Sequence, residues 1–361
     1  MIRQQQIYLL AVVWMSLLML TVHAQDTDPP SMTLSVKKIA TLTGPDATSS
    51  TQDIDICGTD LGTMTEVDGS IYVAFGDTFG FRDGNCPRFG PNWRSNVLGM
   101  TQDTDPSDGV VWANWLTDES GTAIAMSDGA HDAAFTGEQT RIPTAMVTVG
   151  EQLYLHYMSV YGFSNKGGVW LCNYSRFIYS DDAGESWTES SNFASHGDGF
   201  NMLALSHQAG QGNEDRRYVY AIGTPCGRFG GARVARVLAG DILTISAWEY
   251  FDGNGWSNHR LDAVEVIKPN VGEGSLVWNA GLDRWMYSYL NEATAAIELR
   301  LSETPWGPWD EVYTLARATT YPALYGAYMT PSWLSDDGKT FYFIMSQFGP
   351  YNTYVMEARF E

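Results

Sequence analysis

Two aspartates flank a predicted β-hairpin, and their spacing places them opposite each other. Asp68-Gly69 separates two runs of strand-forming residues, and this dipeptide is typical of a two-residue hairpin turn. With those residues in the turn, Asp60 and Asp77 face each other with Cβ atoms about 5 Å apart. Such close carboxylates repel each other, so one pKa rises and one group can donate a proton while the other stays ionised. The pattern predicts acid–base chemistry; the alternatives are two solvated acids at a frayed strand end, or a metal site.

Polar residues at comparable places in later strands are further candidates for the same site. Glu273 shortly precedes a run that we interpret as an innermost strand, where a third acid could meet the aspartate pair. A solvent-exposed turn acid is the alternative. Arg228 could orient a carboxylate or a sugar hydroxyl, and His156 is a second candidate for binding substrate. A lone histidine on an aromatic strand is, however, more often part of the core.

The composition indicates an exported protein. Residues 1–24 resemble a secretory signal, with Arg3 followed by an apolar run over residues 7–20 that is too short to span a bilayer comfortably. A polar leader, residues 25–32, precedes a single domain over residues 33–361. The net charge of −21 disfavours nucleic acid and anionic membranes as partners and favours a neutral or cationic substrate. We predict a secreted, extracellular monomer with no nucleic-acid or membrane partner.

The four cysteines all follow the predicted signal peptide, at Cys57, Cys86, Cys172 and Cys226. An even number in an oxidising compartment suggests two disulfides, for which three connectivities exist. We favour Cys57 with Cys86, because these residues flank the aspartate hairpin. The second bridge, Cys172 with Cys226, follows by elimination.

Aromatic-rich strands recur five times along the chain. Each follows another β-rich run and a turn, and each precedes a third strand. They contain Tyr72, Tyr154, Tyr218, Trp285 and Tyr342. Five small antiparallel sheets without an amphipathic helix between them predict an all-β fold, a five-bladed β-propeller; a β-sandwich is the alternative. The last sheet lacks one strand, and we expect residues 33–42 to supply it and close the ring.

Two further stretches fit a propeller. Residues 180–187 match the Asp-box pattern S-x-D-x-G-x-[ST]-W, a turn between outer strands of propeller blades that indicates fold and not catalysis. A long insertion between residues 80 and 139 is rich in Gly, Asp and aromatic residues. Long loops on a rigid scaffold commonly bind substrates, which makes Trp93 a candidate substrate-binding residue.

Several short motifs together resemble one family. They are Thr59-Asp60-Leu61-Gly62, Phe75-Gly76-Asp77-Thr78, Arg94-Ser95-Asn96, the Asp box, Gly272-Glu273, Pro305-Trp306-Gly307-Pro308-Trp309 and Pro350-Tyr351-Asn352. From about residue 34 to residue 360 the chain resembles the family once called domain of unknown function 4185, part of which is now the endo-D-arabinanases of glycoside hydrolase family 183. The resemblance implies a five-bladed propeller that cleaves α-linked D-arabinofuranose polymers such as mycobacterial arabinan. It implies Asp60, Asp77 and Glu273 as catalytic residues, and Arg94 and Asn96 become candidates for binding substrate.

The sequence therefore predicts a glycoside hydrolase that acts on a polysaccharide with a carboxylate pair. Facing aspartates near 5 Å suit a retaining mechanism, with Asp60 as nucleophile and Asp77 as acid/base. No cofactor is predicted, and a structural Ca²⁺ in the central channel is left open. The alternatives are a non-catalytic sugar-binding propeller and a hydrolase for another furanoside, such as L-arabinan.

Overall fold

Short runs of β-branched and aromatic residues, separated by turns, form strands throughout the computed structural model, which describes residues 32–207 and 217–361. In these residues the strands group into five antiparallel sheets. Each sheet is built mainly from consecutive strands, as short turns between antiparallel neighbours require. Within the same residues, no helix is long and apolar enough to cross a bilayer.

The strands of the first three sheets, from the inside outwards, are these. Blade 1 contains β2 (Leu61–Val67), β3 (Ser70–Phe75), β4 (Val97–Thr101) and β5 (Asn114–Trp115). Blade 2 contains β6 (Thr140–Val149), β7 (Gln152–Phe163), β8 (Trp170–Ser180) and β9 (Thr188–Ser195). Blade 3 contains β10 (Met202–Ser206), β11 (Tyr218–Thr224) and β12 (Ala232–Leu238), with the short outer strands β13 (Glu249–Phe251), β14 (Trp256–Ser257) and β15 (Glu265–Ile267).

The last two sheets complete the fold. Blade 4 contains β16 (Val271–Asn279), β17 (Arg284–Asn291), β18 (Ala296–Ser302) and β19 (Glu311–Arg317). Blade 5 contains β20 (Leu324–Leu334), β21 (Thr340–Gln347) and β22 (Asn352–Phe360), with β1 (Leu34–Thr41) as its outer strand. Among the described residues, single-turn 3₁₀ helices lie near the outer part of blade 3, at Ala239–Asp241, Ile245–Ala247 and Arg260–Asp262.

The innermost strands β2, β6, β10, β16 and β20 pack side by side in that order, and β20 returns to β2. The protein is therefore a five-bladed β-propeller, as the repeats predicted. The five aromatic-rich strands are β3, β7, β11, β17 and β21, the second strand of each blade. Ring closure is also confirmed, because β1 pairs with β22 from Leu34 opposite Phe360 to Thr41 opposite Tyr354.

Apolar side chains fill the space between neighbouring blades. Trp248 packs against Phe177 and Phe193 between blades 2 and 3, with ring centroids 6.2 and 5.1 Å away. Between blades 3 and 4, Trp285 meets the edge of Tyr220 at 5.9 Å. Large buried rings of this kind dominate core energetics, so the blades are held by their faces as well as by the ring of inner strands.

The predicted hairpin forms, with Asp68 and Gly69 in its turn at φ 50° and 74°. Its register is the predicted one from Val67 opposite Ser70 to Thr63 opposite Ala74. Past that point the prediction is wrong. A bulge lies at Leu61-Gly62, where both residues have positive φ (62° and 128°), and it shifts the pairing by one residue.

Because of this bulge, Asp60 is opposite Gly76 and not opposite Asp77. The Gly76 amide donates a hydrogen bond to the Asp60 carbonyl oxygen at 2.9 Å. The bulge therefore removes the geometric reason for predicting a retaining mechanism, although both aspartates stay at the same end of the hairpin.

Both predicted disulfides are present, Cys57–Cys86 with Cα atoms 5.2 Å apart and Cys172–Cys226 with Cα atoms 6.1 Å apart. The Asp box lies between β8 and β9, as expected. Asp182 accepts hydrogen bonds there from the backbone amide and hydroxyl of Ser186, at 2.9 and 2.6 Å. Its role is to hold a turn between outer strands.

Candidate active site

A cavity of about 590 Å³ opens where the inner strands begin. Each blade lines it with the loop between its second and third strands. From blade 1 to blade 5, these loops contribute Asp77, Gly167, Arg228, Glu292 and Tyr351. The volume is within the range of small-molecule and cofactor sites. All three predicted acids, Asp60, Asp77 and Glu273, line this cavity.

Asp60 lies immediately before β2, with its carboxyl group packed against the second strand of the hairpin. Its Oδ2 accepts a hydrogen bond from Tyr325 Oη at 2.8 Å, whereas its buried Oδ1 has no hydrogen-bond partner among the described residues. A Cβ on Gly76 would lie 2.2 Å from that Oδ1, so the carboxyl group fits only against glycine. Burial, followed by the charge of Asp77, raises the pKa of Asp60 to about 8. Asp60 is therefore mostly protonated at neutral pH.

Asp77 follows β3 and is buried in a more polar setting. Its Oδ1 accepts hydrogen bonds from Trp93 Nε1 at 2.7 Å and from Thr140 Oγ1 at 2.5 Å. Burial raises the pKa of Asp77 to about 6, and these two hydrogen bonds limit the rise because they favour the ionised form. At neutral pH Asp77 is mostly ionised, so the two aspartates differ in protonation.

Glu273 lies near the start of β16 and is held by a buried arginine. Arg228 donates to both carboxylate oxygens, from Nε at 3.2 and 3.0 Å and from a terminal nitrogen at 2.9 Å. A second acid of the cavity, Glu292, lies 3.9 Å from the same guanidinium. A guanidinium that donates to both oxygens of a carboxylate holds it firmly in one orientation. Glu273 is thereby fixed as the partner of Arg228 in a salt bridge, on the Asp60 side of the cavity.

Another cavity, of about 240 Å³, lies further along the inner strands, among residues such as Thr65, Thr148 and Ser275. Its acid, Glu66, accepts hydrogen bonds from Ser332 N and Oγ, both at 2.8 Å, and from the Thr330 hydroxyl. Those contacts fix the Glu66 carboxylate in place. The first cavity, which combines acids of different protonation, is the better candidate for catalysis.

A match to a known family covers nearly the whole propeller. The family is described as a domain of unknown function (DUF4185), and it matches residues 44–357. The chain belongs to this family. Among curated proteins, no sequence matches the chain.

Solved structures share the fold of this DUF4185 chain at low sequence identity. A Bacteroides ovatus protein has a TM-score of 0.60 at 15% identity over 85% of this chain and 87% of the other. A family 117 glycoside hydrolase from Zobellia galactanivorans has a TM-score of 0.50 at 11% identity over 91% and 90%. An exo-β-1,3-galactanase from Phanerochaete chrysosporium has a TM-score of 0.52 at 9% identity over 90% and 64%. These likenesses establish the propeller fold.

Two of the five predicted substrate-binding residues line the cavity. Trp93 reaches Asp77, as described above, and stacks on Phe79 with ring centroids 5.9 Å apart. Arg228 holds Glu273, so its cationic head is already engaged with an acid of the protein. Both residues border the space that a ligand would occupy.

The other three predicted residues are outside the cavity lining. Arg94 is buried and donates to the backbone oxygens of Ala123 and Asp55 at 3.0 and 2.7 Å, which fixes the blade 1 insertion. Asn96 is fully buried and ties the insertion to blade 2, donating to the Arg141 carbonyl oxygen at 3.1 Å. Arg94 and Asn96 therefore stabilise the insertion that contains Trp93.

His156 is a core residue and not a substrate ligand. It is fully buried, shares a 2.6 Å hydrogen bond with Thr144 Oγ1 and meets the ring of Phe177 at 5.0 Å. Burial lowers the pKa of His156 to about 3, and the charge of Arg260 acts in the same direction. The histidine is therefore neutral, and it occupies the core position that is more common for a lone histidine on an aromatic strand.

Tyr325 and Thr140, which bind the two aspartates, were not among the residues predicted from the sequence. Both residues lie at the start of an inner strand, Thr140 in β6 and Tyr325 in β20. The same rule had identified Glu273 at the start of β16. Applied to every blade, that rule would have found both of them.

Grouped acidic side chains can also bind a metal ion. Across residues 32–207 and 217–361, no three His, Cys, Asp or Glu side chains are grouped closely enough to hold a metal ion. What the cavity offers is a protonated acid beside an ionised one.

Proposed function

We propose that this protein is a secreted glycoside hydrolase that cleaves α-D-arabinofuranosyl linkages in arabinan-type polysaccharide. The observation that carries the proposal is a pair of buried acids at one end of one hairpin, of which Asp60 has an oxygen without a hydrogen-bond partner in the described chain and Asp77 accepts two hydrogen bonds. These surroundings raise the pKa of Asp60 above that of Asp77. Paired carboxyl groups in different protonation states are what glycosidic cleavage requires. The five blades of a single chain complete the cavity, so we propose a monomer, and the two disulfides suit an oxidising compartment.

In the proposed reaction, Asp60 is the proton donor. Its proton passes to the glycosidic oxygen as the bond between that oxygen and the anomeric carbon breaks, and the leaving sugar departs as an alcohol. The ionised Asp77 acts at the anomeric carbon, either as a nucleophile or by taking a proton from the attacking water. Water supplies the new hydroxyl in both cases. These roles reverse the assignment made from the sequence, because the two local environments favour protonation at Asp60.

The sugar is proposed from the family resemblance together with the site. The motifs that carry the resemblance contain Asp60 and Asp77, and both line the cavity. A protein with a net charge of −21 also suits a neutral glycan better than a polyanion. Two of the structural neighbours are glycoside hydrolases by name, and they share the fold.

The test is incubation of the purified protein with mycobacterial arabinogalactan and, separately, with plant arabinan. We expect oligosaccharides from the first. Asp60→Asn and Asp77→Asn should each lower kcat by at least about 100-fold, on the order of 3 kcal/mol of transition-state stabilisation. Asp336→Asn, in the exposed turn between β20 and β21, is the matched control and should behave as wild type.

Each other outcome has a defined meaning. Products from plant arabinan alone would replace D-arabinan by L-arabinan as the substrate. Binding without cleavage would make the protein a sugar-binding propeller. Full activity in Asp77→Asn would exclude the aspartate pair from the chemistry. In an active preparation, ¹H NMR of the first product decides the role of Asp77, since a retained anomer requires a nucleophile and an inverted one a base.

A further inference from the structure

Two phenylalanine rings stand exposed at the rim of the active-site cavity. Phe89 belongs to the blade 1 insertion and Phe348 to the loop between β21 and β22, and both line the cavity. Their exposed fractions are 46% and 47%, and their ring centroids are 5.9 Å apart. Clustered apolar surface of this kind on a soluble protein commonly marks a binding site.

An arginine side chain lies over both rings. The Arg88 guanidinium lies over both, 4.9 Å from the centroid of Phe89 and 5.1 Å from that of Phe348. The side chain of Arg88 is itself exposed. We call Arg88, Phe89 and Phe348 the rim platform. It combines apolar ring surface with hydrogen-bond donors, and donors suit the hydroxyl oxygens of a neutral sugar.

The rim platform is continuous with the aspartates. Tyr351 meets the ring of Phe89 at 5.2 Å and that of Phe348 at 6.1 Å. Burial raises the pKa of Tyr351 well above its ordinary value, and the charge of the nearby Asp60 acts in the same direction. A ligand that covers the platform therefore extends towards the acid pair without leaving the cavity.

A second aromatic wall lies on blade 2. Phe163 and Trp170 border the β7–β8 loop and line the cavity, with ring centroids 5.9 Å apart. In the ring order of the blades, blades 5 and 1 are neighbours and blade 2 follows on the other side of blade 1. The acids of blade 1 thus have aromatic surface to either side along the rim.

We propose that the rim platform is a glycan-binding subsite that holds sugar units distant from the bond being cleaved. The inference deepens the proposed function and rests on it. Its occupant is a further segment of the same neutral glycan chain, because the platform is continuous with the cavity that contains the acids. The platform then favours long substrates over short ones and does not take part in the chemical step.

The experiment compares wild type with Phe348→Ala and Phe89→Ala on two probes. These are long and short arabino-oligosaccharides, size-fractionated from a partial hydrolysate of mycobacterial arabinogalactan. Removing one ring should raise KM for the long probe about fivefold to tenfold and leave kcat unchanged. Both parameters should stay unchanged on the short probe. Phe135→Ala is the matched control, since Phe135 is also 43% exposed and does not line the cavity.

Phe348→Ala is the deciding variant, because Phe89 also packs against Phe79 at 5.4 Å and its loss could disturb the cavity wall. An unchanged KM for the long probe in Phe348→Ala would overturn the subsite. So would an equal loss on long and short probes, which indicates a packing role. Failure of the proposed function gives a different result, since the wild-type protein would then cleave neither probe.

Discussion

The roles of the acids depend on what surrounds each carboxyl group. Asp60 and Asp77 are the same amino acid at the same end of one hairpin. Asp60 has an oxygen without a hydrogen-bond partner in the described chain, whereas Asp77 accepts two hydrogen bonds at one oxygen. The first environment favours the neutral acid, and the second reduces the cost of the charge. The difference provides a donor and an ionised partner at the same pH.

This difference predicts a bell-shaped dependence of kcat/KM on pH. Asp77 has to be ionised, so activity falls as the pH drops below about 6. Asp60 has to be protonated, so activity falls as the pH rises above about 8. Because the two groups interact, the two limbs report the pair as a whole.

The variant Tyr325→Phe tests the fall in kcat/KM on the alkaline side of the pH profile, which we call the alkaline limb. The measurement is kcat/KM as a function of pH. The Tyr325 hydroxyl donates to Asp60 and favours the ionised form, so its removal should move the limb to higher pH. Tyr328→Phe is the control, because the buried Tyr328 hydroxyl has no hydrogen-bond partner among the described residues. A limb that stays in place, or moves down, in Tyr325→Phe would contradict the assignment of Asp60 as the acid.

For single residues, the sequence identified the acids of the cavity but not the side chains that form hydrogen bonds with them. Asp60, Asp77 and Glu273 all line the cavity, because the starts of the inner strands and the ends of the second strands converge there. Tyr325 is far from Asp60 in the chain, and its contact exists only once blade 5 lies beside blade 1. Arg94 and Asn96, by contrast, were predicted to bind substrate but do not line the cavity. The family resemblance suggested ligand binding, whereas both side chains donate to backbone oxygens of the insertion, Arg94 to that of Ala123 and Asn96 to that of Ser127.

Among the structural elements, the blade 1 hairpin shows how far local rules reach. The Asp68-Gly69 turn predicted the strands and most of the register. The bulge was not predictable, because Leu61 at φ 62° is a conformation that a leucine rarely adopts. Ser346 Oγ in blade 5 accepts a hydrogen bond from the Leu61 amide at 2.8 Å, so a neighbouring blade stabilises the bulge.

The Cys57–Cys86 disulfide closes the segment that contains this hairpin. Replacing both cysteines by serine opens a loop with a sequence separation of 29 residues. The free energy of unfolding should fall by roughly 3 to 4 kcal/mol, since the unfolded chain regains loop entropy. Urea denaturation measures this change.

The matched control is the double serine variant of Cys172 and Cys226. Its separation of 54 residues predicts a loss at least as large as that of the first pair. If loss of the Cys57–Cys86 bridge lowers the free energy of unfolding by less than about 1 kcal/mol, the bridge does not restrict the unfolded chain as the loop-entropy calculation requires.

At the scale of the whole molecule, β1 is the strand that completes the propeller. It pairs with β22 along nearly its whole length, so blade 5 contains both ends of the described chain. The sequence predicted this closure from the missing strand of the last sheet. A propeller without it would expose an unpaired edge at β22.

A variant that begins after residue 42 should therefore lose cooperative unfolding. The measurement is circular dichroism during heating, and the control begins at residue 33, so that it keeps β1. We expect the control to melt as a protein that begins at residue 25 does. The prediction fails if the shorter protein melts at the same temperature with the same cooperativity, since blade 5 would then not need β1.

The pairing of β1 with β22 also determines when folding can finish. Blades 1 to 4 are made of segments close together in the chain, which can associate as soon as each has been synthesised. Leu34 can pair only after Phe360, in the last strand of the propeller, has been synthesised. Contacts between such distant segments slow folding, because a long loop closes before they form. The nascent propeller is thus an open arc with two free edges for most of its synthesis, and it becomes a ring only with its final strand.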